Sequence, residues 1–168
     1  IQRLCGIASL SRKYVQLAHS YNIKILDTRK TTPGLRLFEK YAIAIGGAYN
    51  HRLNLSDGIL IKDNHIISAG SVSNALKTIK RSNLHLPLEL EVDNFDQIQE
   101  ALIIGVDGFL LDNMSPDSIK EAVSIIRNSE RGKDIFIEAS GGITDKNIDS
   151  YLDTGIDAVS IGAMTHSA

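Results

Sequence analysis

The sequence is poor in several features that would each point to a class of protein. It has a single cysteine, Cys5, so an internal disulfide framework and a cysteine-cluster metal centre are both ruled out. Such sparse use fits a reducing compartment and a cytoplasmic location. Neither sign of charge dominates. The 18 basic and 20 acidic residues give a formal charge of −2, which argues against nucleic-acid binding driven by bulk charge. No apolar run approaches the roughly 18 residues of a membrane span. There is no HExxH, no close His/Cys ligand cluster and no G-x-S-x-G elbow, so neither a zinc site nor a serine-hydrolase triad is supported. No low-complexity linker divides the 168 residues. At 43% hydrophobic and 23% charged, the composition is that of one globular domain over residues 1–168 rather than a disordered chain or a coiled coil.

The chain opens IQRLCGIASL, with no Met and no signal-peptide pattern, and closes GAMTHSA. Neither end reads as a natural terminus, so the expectation is a fragment or a trimmed domain. Cys5, beside Leu4 and Ile7, is expected to be a packed or boundary thiol.

Helix-like and strand-like segments alternate along the chain. Leu10, Tyr14, Leu17, Ala18 and Tyr21 recur at three- and four-residue steps and predict a helix over 9–21. Strands are predicted over 23–27, 58–61, 88–92, 108–111, 135–139 and 158–161. Further helices are predicted over 35–45, 72–80, 95–104, from Ser115–Pro116 to about Arg127, and from Thr144 to about Asp153. Ser115 is an N-cap and Pro116 the first helical position. Six such repeats mean a parallel sheet, closed either as a doubly wound sheet or as a barrel.

The polar residues favour the barrel. The six strands run into Asp27-Thr28-Arg29-Lys30, Lys62-Asp63-Asn64-His65, Glu91 with Asp93-Asn94, Asp112-Asn113, Glu138 with Ser140-Gly141-Gly142, and Ser160-Ile161-Gly162. A doubly wound sheet gathers its site at one switch point and would draw on a few strands. Contributions from every strand put the ends on a ring, with chemistry at the C-terminal face. The expected fold is an incomplete TIM-like α/β barrel of parallel strands, with fewer than eight strands and the active site at their C-terminal ends.

Arg29, Lys30, His51, Arg52 and Lys62 all lie in the first half of the chain. Converging on one mouth they would repel one another unless an anion is bound, so the expected ligand is polyanionic. The arginines suit forked recognition of carboxylate or phosphate, and the lysines act as point charges. Glu91 and Asp112 could hold Mg²⁺ or sugar hydroxyls, or stabilise developing positive charge; plain ion pairing with Lys62 or Arg52 is the alternative. Ser140-Gly141-Gly142 and Ser160-Ile161-Gly162-Ala163 offer backbone N–H groups to an oxyanion at helix starts, with a tight turn as the plainer role for the two glycines.

These segments also carry a resemblance. DTRKTTPGLR, GGAYNHRLNLSDGILIKDNH, LELEVDN, LLDNM, EASGGI and SIGAMTHS, in order and over essentially the whole chain, resemble quinolinate phosphoribosyltransferase. The resemblance implies conversion of quinolinate and phosphoribosyl diphosphate to nicotinate mononucleotide, diphosphate and CO₂ in NAD biosynthesis. It implies that Thr28, Arg29 and Lys30 contact substrate, with Arg29 on the quinolinate carboxylates and Lys30 nearer the phosphoribosyl diphosphate. His51, Arg52 and Lys62 would complete the basic pocket. Lys30, Glu91 and Asp112 would be the catalytic residues, with the two acids by the ribose and its Mg²⁺, bound directly or through water. Ser140, Gly141, Gly142, Ile161, Gly162 and Ala163 would hold the 5′-phosphate, and His166 would lie near the site. Members of the family are homodimers whose N-terminal domain lends an arginine to the partner's site, and that domain is not in these 168 residues. Two alternatives stand beside this reading: a related protein associated with molybdenum transport, and a non-catalytic phosphate-ligand module. Neither a nucleic-acid nor a membrane partner is expected.

Overall fold

The computed structural model describes residues 1–82 and 84–166; Asn83, Ser167 and Ala168 lie outside the described residues, so the Ser167 end of SIGAMTHS does too. Six strands, β1 (Lys24–Leu26), β2 (Ile59–Ile61), β3 (Leu88–Val92), β4 (Gly108–Asp112), β5 (Phe136–Ser140) and β6 (Ala158–Ser160), form one parallel sheet in the order β1-β6-β5-β4-β3-β2. A doubly wound sheet reverses its strand order at an internal switch point. Here each strand from β2 to β5 pairs with its successor, and β1 pairs with β6. The sheet is therefore rolled in one sense and left open between β1 and β2. Beyond β1, among the described residues only an isolated bridge continues it: Tyr49 N–H donates to Ile25 O (2.8 Å), and Asp27 N–H donates to Tyr49 O (3.1 Å). The expectation of an incomplete barrel holds.

Register assigns the two faces. Leu26, Ser160, Ser140 and Asp112 pair across adjacent strands, as do Lys24, Ala158, Glu138, Leu110 and Glu91, so each set shares one face. This is the lumen face. The alternate residues, including Ile25, Leu90, Phe109, Ile137 and Val159, are fully or almost fully buried and cluster with Ile43, Leu76, Ile98, Ile119 and Ile126 from the surrounding helices. Each such aliphatic side chain contributes roughly 1.5–3 kcal/mol on burial, and together they hold the strand ends in place.

The helices are α1 (Gln2–Ala18), α2 (Arg36–Ile45), α3 (Asp63–Ala69), α4 (Val72–Arg81), α5 (Phe95–Ile104), α6 (Pro116–Arg127), α7 (Asp149–Leu152) and α8 (Ala163–His166). Ser71, Asn94 and Ser115 cap α4, α5 and α6 by accepting from the N–H of Asn74, Gln97 and Ser118. Three expectations need correction. α1 begins seven residues earlier than predicted and ends at Ala18. The helix predicted from Thr144 is mostly turn, because Asn147 Oδ1 takes the Thr144 N–H (2.7 Å) and α7 forms only at Asp149–Leu152. Cys5 is exposed rather than packed. Among the described residues no helix is long and apolar enough to cross a membrane.

Candidate active site at the barrel mouth

The chain leaving β1 is pinned by its own short polar side chains. Thr28 Oγ1 accepts from Lys30 N–H (3.1 Å). Arg36 donates to Thr31 Oγ1 (3.0 Å) and to Arg29 O (3.3 Å). Glu39, fully buried, accepts from Thr32 N–H (3.0 Å) and from Arg3 Nε (2.9 Å). Burial would raise Glu39, but the Thr32 and Arg3 bonds outweigh it and hold the carboxyl below its ordinary range. Thr165 Oγ1 donates to Lys30 O (2.7 Å), which ties α8 to the same loop. The backbone is thus fixed while the cationic heads stay available.

The loop from α2 to β2 brings His51 and Arg52 to the lumen. Arg52 Nη1 donates to Gly58 O (2.9 Å). The Nε atoms of Arg29 and Arg52 are both buried without a hydrogen-bond partner. Burial, and then the Arg29 charge, push Arg52 below its ordinary value. Glu89, Glu138 and Asp57 offset part of that effect, and two part-desolvated guanidiniums side by side make this a favourable place for an anion.

Below them lies an acidic layer of which the sequence reading named Glu138 but not Glu89. Glu89 and Glu138 face the lumen, with His51 Nε2 3.2 Å from Glu138 Oε2 and 3.7 Å from Glu89 Oε2. Ser160 Oγ donates to Glu138 Oε1. Burial, then the Glu138 charge, raise Glu89 to about 7. His51 is raised as well: burial lowers it, but the hydrogen bond and charge of Glu138, and then Glu89, outweigh that. His51, Glu89 and Glu138 also present ligand atoms within 4.8 Å of one another. Their hydrogen bonding argues against a metal. Arg52 N–H donates to His51 Nδ1 (2.8 Å), which assigns the ring proton to Nε2, the atom a metal would need free. A cavity of about 280 Å³ lies on the side of this layer toward the N-terminal ends of the strands, lined by His51, Arg52, Glu89 and Glu138 together with Asp107 and Phe136.

Higher on the same face, Glu91 Oε2 pairs with Lys62 Nζ at 2.5 Å. Asp112 Oδ2 accepts from Asn113 Nδ2 (2.7 Å). Ion pairing with Lys62 therefore accounts for one Glu91 oxygen, and no Arg52 pair to Glu91 forms among the described residues. One carboxylate oxygen on each acid remains uncommitted. Hard oxygen donors on adjacent strands fit Mg²⁺, which keeps several waters and takes its remaining ligands from substrate phosphates.

The two glycine loops differ in what demands glycine. Gly141 has φ +95°, and a Cβ there would sit 2.2 Å from Asn113 Oδ1 and 2.9 Å from Asn113 N. Its glycine serves the interlock of the β4 and β5 loops. Gly142 has φ +63° with open space where a Cβ would point. Among the described residues no acceptor takes the N–H of Gly142, Gly162 or Ala163. Ile161 is different: its side chain is in the core and its N–H already donates to Leu26 O (2.9 Å). A Cβ on Gly162 would meet His166 Nε2 at 2.9 Å and Thr28 Oγ1 at 3.8 Å, so His166 lies against the loop beside Thr28. Helix macrodipoles add little to these loops, because one leads into turns and the other into the four-residue α8.

The sequence profile of the family described as quinolinate phosphoribosyl transferase, C-terminal domain, matches residues 7–168. Among curated relatives, the probable nicotinate-nucleotide pyrophosphorylase [carboxylating] of Bacillus subtilis is 44% identical over 99% of this chain and 56% of its own length. Its counterpart from Synechocystis is 46% identical over 97% of this chain and 55% of its own length. The crystal structure of NadC from Streptococcus pyogenes superposes with a TM-score of 0.91 at 45% identity, over 100% of this chain and 57% of that one. The chain spans little more than half the length of the curated relatives it matches.

Proposed function

The chain belongs to the quinolinate phosphoribosyl transferase C-terminal-domain family, and from that premise we propose that the protein containing it makes nicotinate mononucleotide, diphosphate and CO₂ from quinolinate and phosphoribosyl diphosphate. The observation that carries the reading is the pair of guanidiniums, Arg29 and Arg52, each with a buried Nε lacking a partner. A dicarboxylate satisfies both, and its two negative charges relieve their repulsion. Lys62 completes the cationic wall, His51 stands beside Arg52 as a neutral imidazole, and Lys30 and Thr28 lie toward the sugar phosphate.

The pyridine nitrogen attacks C1 of the ribose as diphosphate leaves. Glu91 and Asp112 stabilise the positive charge that develops on that carbon. The same two acids would hold Mg²⁺, which when bound supplies charge neutralisation for the diphosphate. N–H groups of Gly142, Gly162 and Ala163 take the 5′-phosphate, with Ser140 and His166 at the edge of that cradle. Ribosylation leaves the ring nitrogen cationic, and that cation stabilises the carbanion formed when the adjacent carboxylate departs as CO₂. The basic wall contributes position rather than electrons.

The reading carries with it a homodimer in the cytoplasm. An exposed apolar run on α2, Leu37, Phe38, Tyr41 and Ile45, supports a contact surface of that kind. Turnover in the full-length protein tests the reading. Glu91→Ala and Asp112→Ala should each abolish nucleotide formation while quinolinate binding persists. Full turnover in both would leave the acids without a catalytic role.

A further inference from the structure

Lys40 lies on α2 with 2% of its surface exposed, and Asp27, at the end of β1, is fully buried. Their contact is short, Nζ to Oδ1 at 2.6 Å. Burial pushes Asp27 up and Lys40 down, and the hydrogen bond between them opposes both shifts. A buried pair of this kind is a weak stabiliser, since an apolar pair of the same shape often holds a fold as well. The further bonds of the two side chains show what this pair adds. Asp27 Oδ1 also accepts from His51 N–H (2.7 Å), and Lys40 Nζ also donates to His51 O (2.9 Å). The Asn50 amide, turned with its nitrogen toward the acceptors, donates to Lys40 O (3.0 Å) and Asp27 Oδ2 (3.2 Å). Both backbone polar groups of His51 are thus gripped by one buried ion pair. The next N–H, that of Arg52, closes onto His51 Nδ1 (2.8 Å), which sets the ring direction.

We propose that Asp27 and Lys40 are positioning residues for quinolinate: they clamp the His51 backbone so that the Arg52 guanidinium, next along the chain, meets a substrate carboxylate. The inference rests on the functional reading above and adds two residues to it. Neither touches substrate; each acts through the loop between α2 and β2.

Lys40→Met alone leaves a buried carboxylate unpaired, which destabilises the fold and confounds the reading. The deciding variant is the double substitution Asp27→Asn/Lys40→Met, which removes both charges and leaves no donor for His51 O. In the full-length protein its KM for quinolinate should rise at least tenfold, with kcat and the KM for phosphoribosyl diphosphate within threefold of wild type. A merely structural role would lower the active fraction, and so kcat, without this selectivity. A quinolinate KM within twofold of wild type, or equal rises in both KM values, would overturn the proposal. Hydrogen exchange over residues 48–54 supplies a reading independent of substrate. It should be at least tenfold faster in the double variant, and unchanged exchange would overturn the clamp. Wild-type protein that bound no quinolinate would instead overturn the functional reading, leaving exchange to decide the clamp.

Discussion

At the scale of the residue, the account turns on groups whose local environment is unfavourable until a ligand or a proton arrives. Arg52 keeps one guanidinium nitrogen on Gly58 O and leaves its Nε buried and unpartnered. Arg52→Lys keeps the charge but loses the fork. Quinolinate affinity in the full-length protein should fall by about 1–3 kcal/mol, the cost of a charged hydrogen bond left unmade; a titration showing unchanged affinity would remove Arg52 from the carboxylate site. Glu89 makes a separate prediction about pH. Its folded-state value is about 7 against 4.5 for the ordinary carboxyl. The folded protein therefore holds a proton that the unfolded chain releases, and the stability Glu89 lends is full below about pH 4.5 and lost as pH rises through 7. Glu89→Gln cannot lose that proton. Its stability relative to wild type should grow between pH 5 and pH 8, by at most about 3 kcal/mol. Denaturant melts at the two pH values check this, and a difference that does not change with pH would contradict it.

At the scale of the element, what was legible in the sequence follows from what signal each element carries. Strands β3 and β4 and helices α4, α5 and α6 stand where alternation, helical spacing and caps put them, to within a residue. α3 carries a weak signal: no residue of Asp63–Ala69 is fully buried, and only Ile66 and Ala69 pack partly against the core, too short an apolar stripe to stand out in seven residues. The sequence shows it only as polar residues trailing β2. The start of α1 was hidden because the helix has no side-chain cap and carries Gly6 in its first turns. Tertiary packing compensates, through Ile7 in the core and Arg3 on Glu39. Glu89 was overlooked although its signal was present. A parallel strand covered on both faces by apolar layers reads as an unbroken apolar run. The alternation Leu88-Glu89-Leu90-Glu91-Val92 says instead that one face looks into a polar lumen. The packing of α1 on α2 makes its own prediction. A Cβ at Gly46, where φ is −68°, would lie 2.5 Å from Ser11 Cβ and 2.6 Å from Ala8 O. The obstacle is backbone and cannot swing aside. Gly46→Ala should cost about 1–3 kcal/mol, visible as a lowered melting temperature with quinolinate KM retained. Unchanged stability would mean the two helices part freely.

At the scale of the whole molecule, the incomplete barrel explains why chemistry-bearing residues are spread over most of the sequence. Each strand turns one face to a small polar lumen and ends at the same mouth. The segments after β1, α2 and β2 supply cations, β3 and β4 supply acids that meet them at the Lys62–Glu91 pair, and the loops after β5 and β6 supply N–H groups. That division suits a substrate pair in which one partner is a dicarboxylate and the other a sugar carrying phosphates. It also separates this reading from that of a passive phosphate-binding module, which needs the N–H cradle but neither the acids nor the buried guanidiniums. The most direct test is to supply the full-length protein with quinolinate labelled in the carboxylate beside the ring nitrogen. The predicted result is labelled CO₂ and nicotinate mononucleotide released one for one, and only when phosphoribosyl diphosphate is present. Binding of both compounds without release of either product, or CO₂ release that ignores phosphoribosyl diphosphate, would contradict the account.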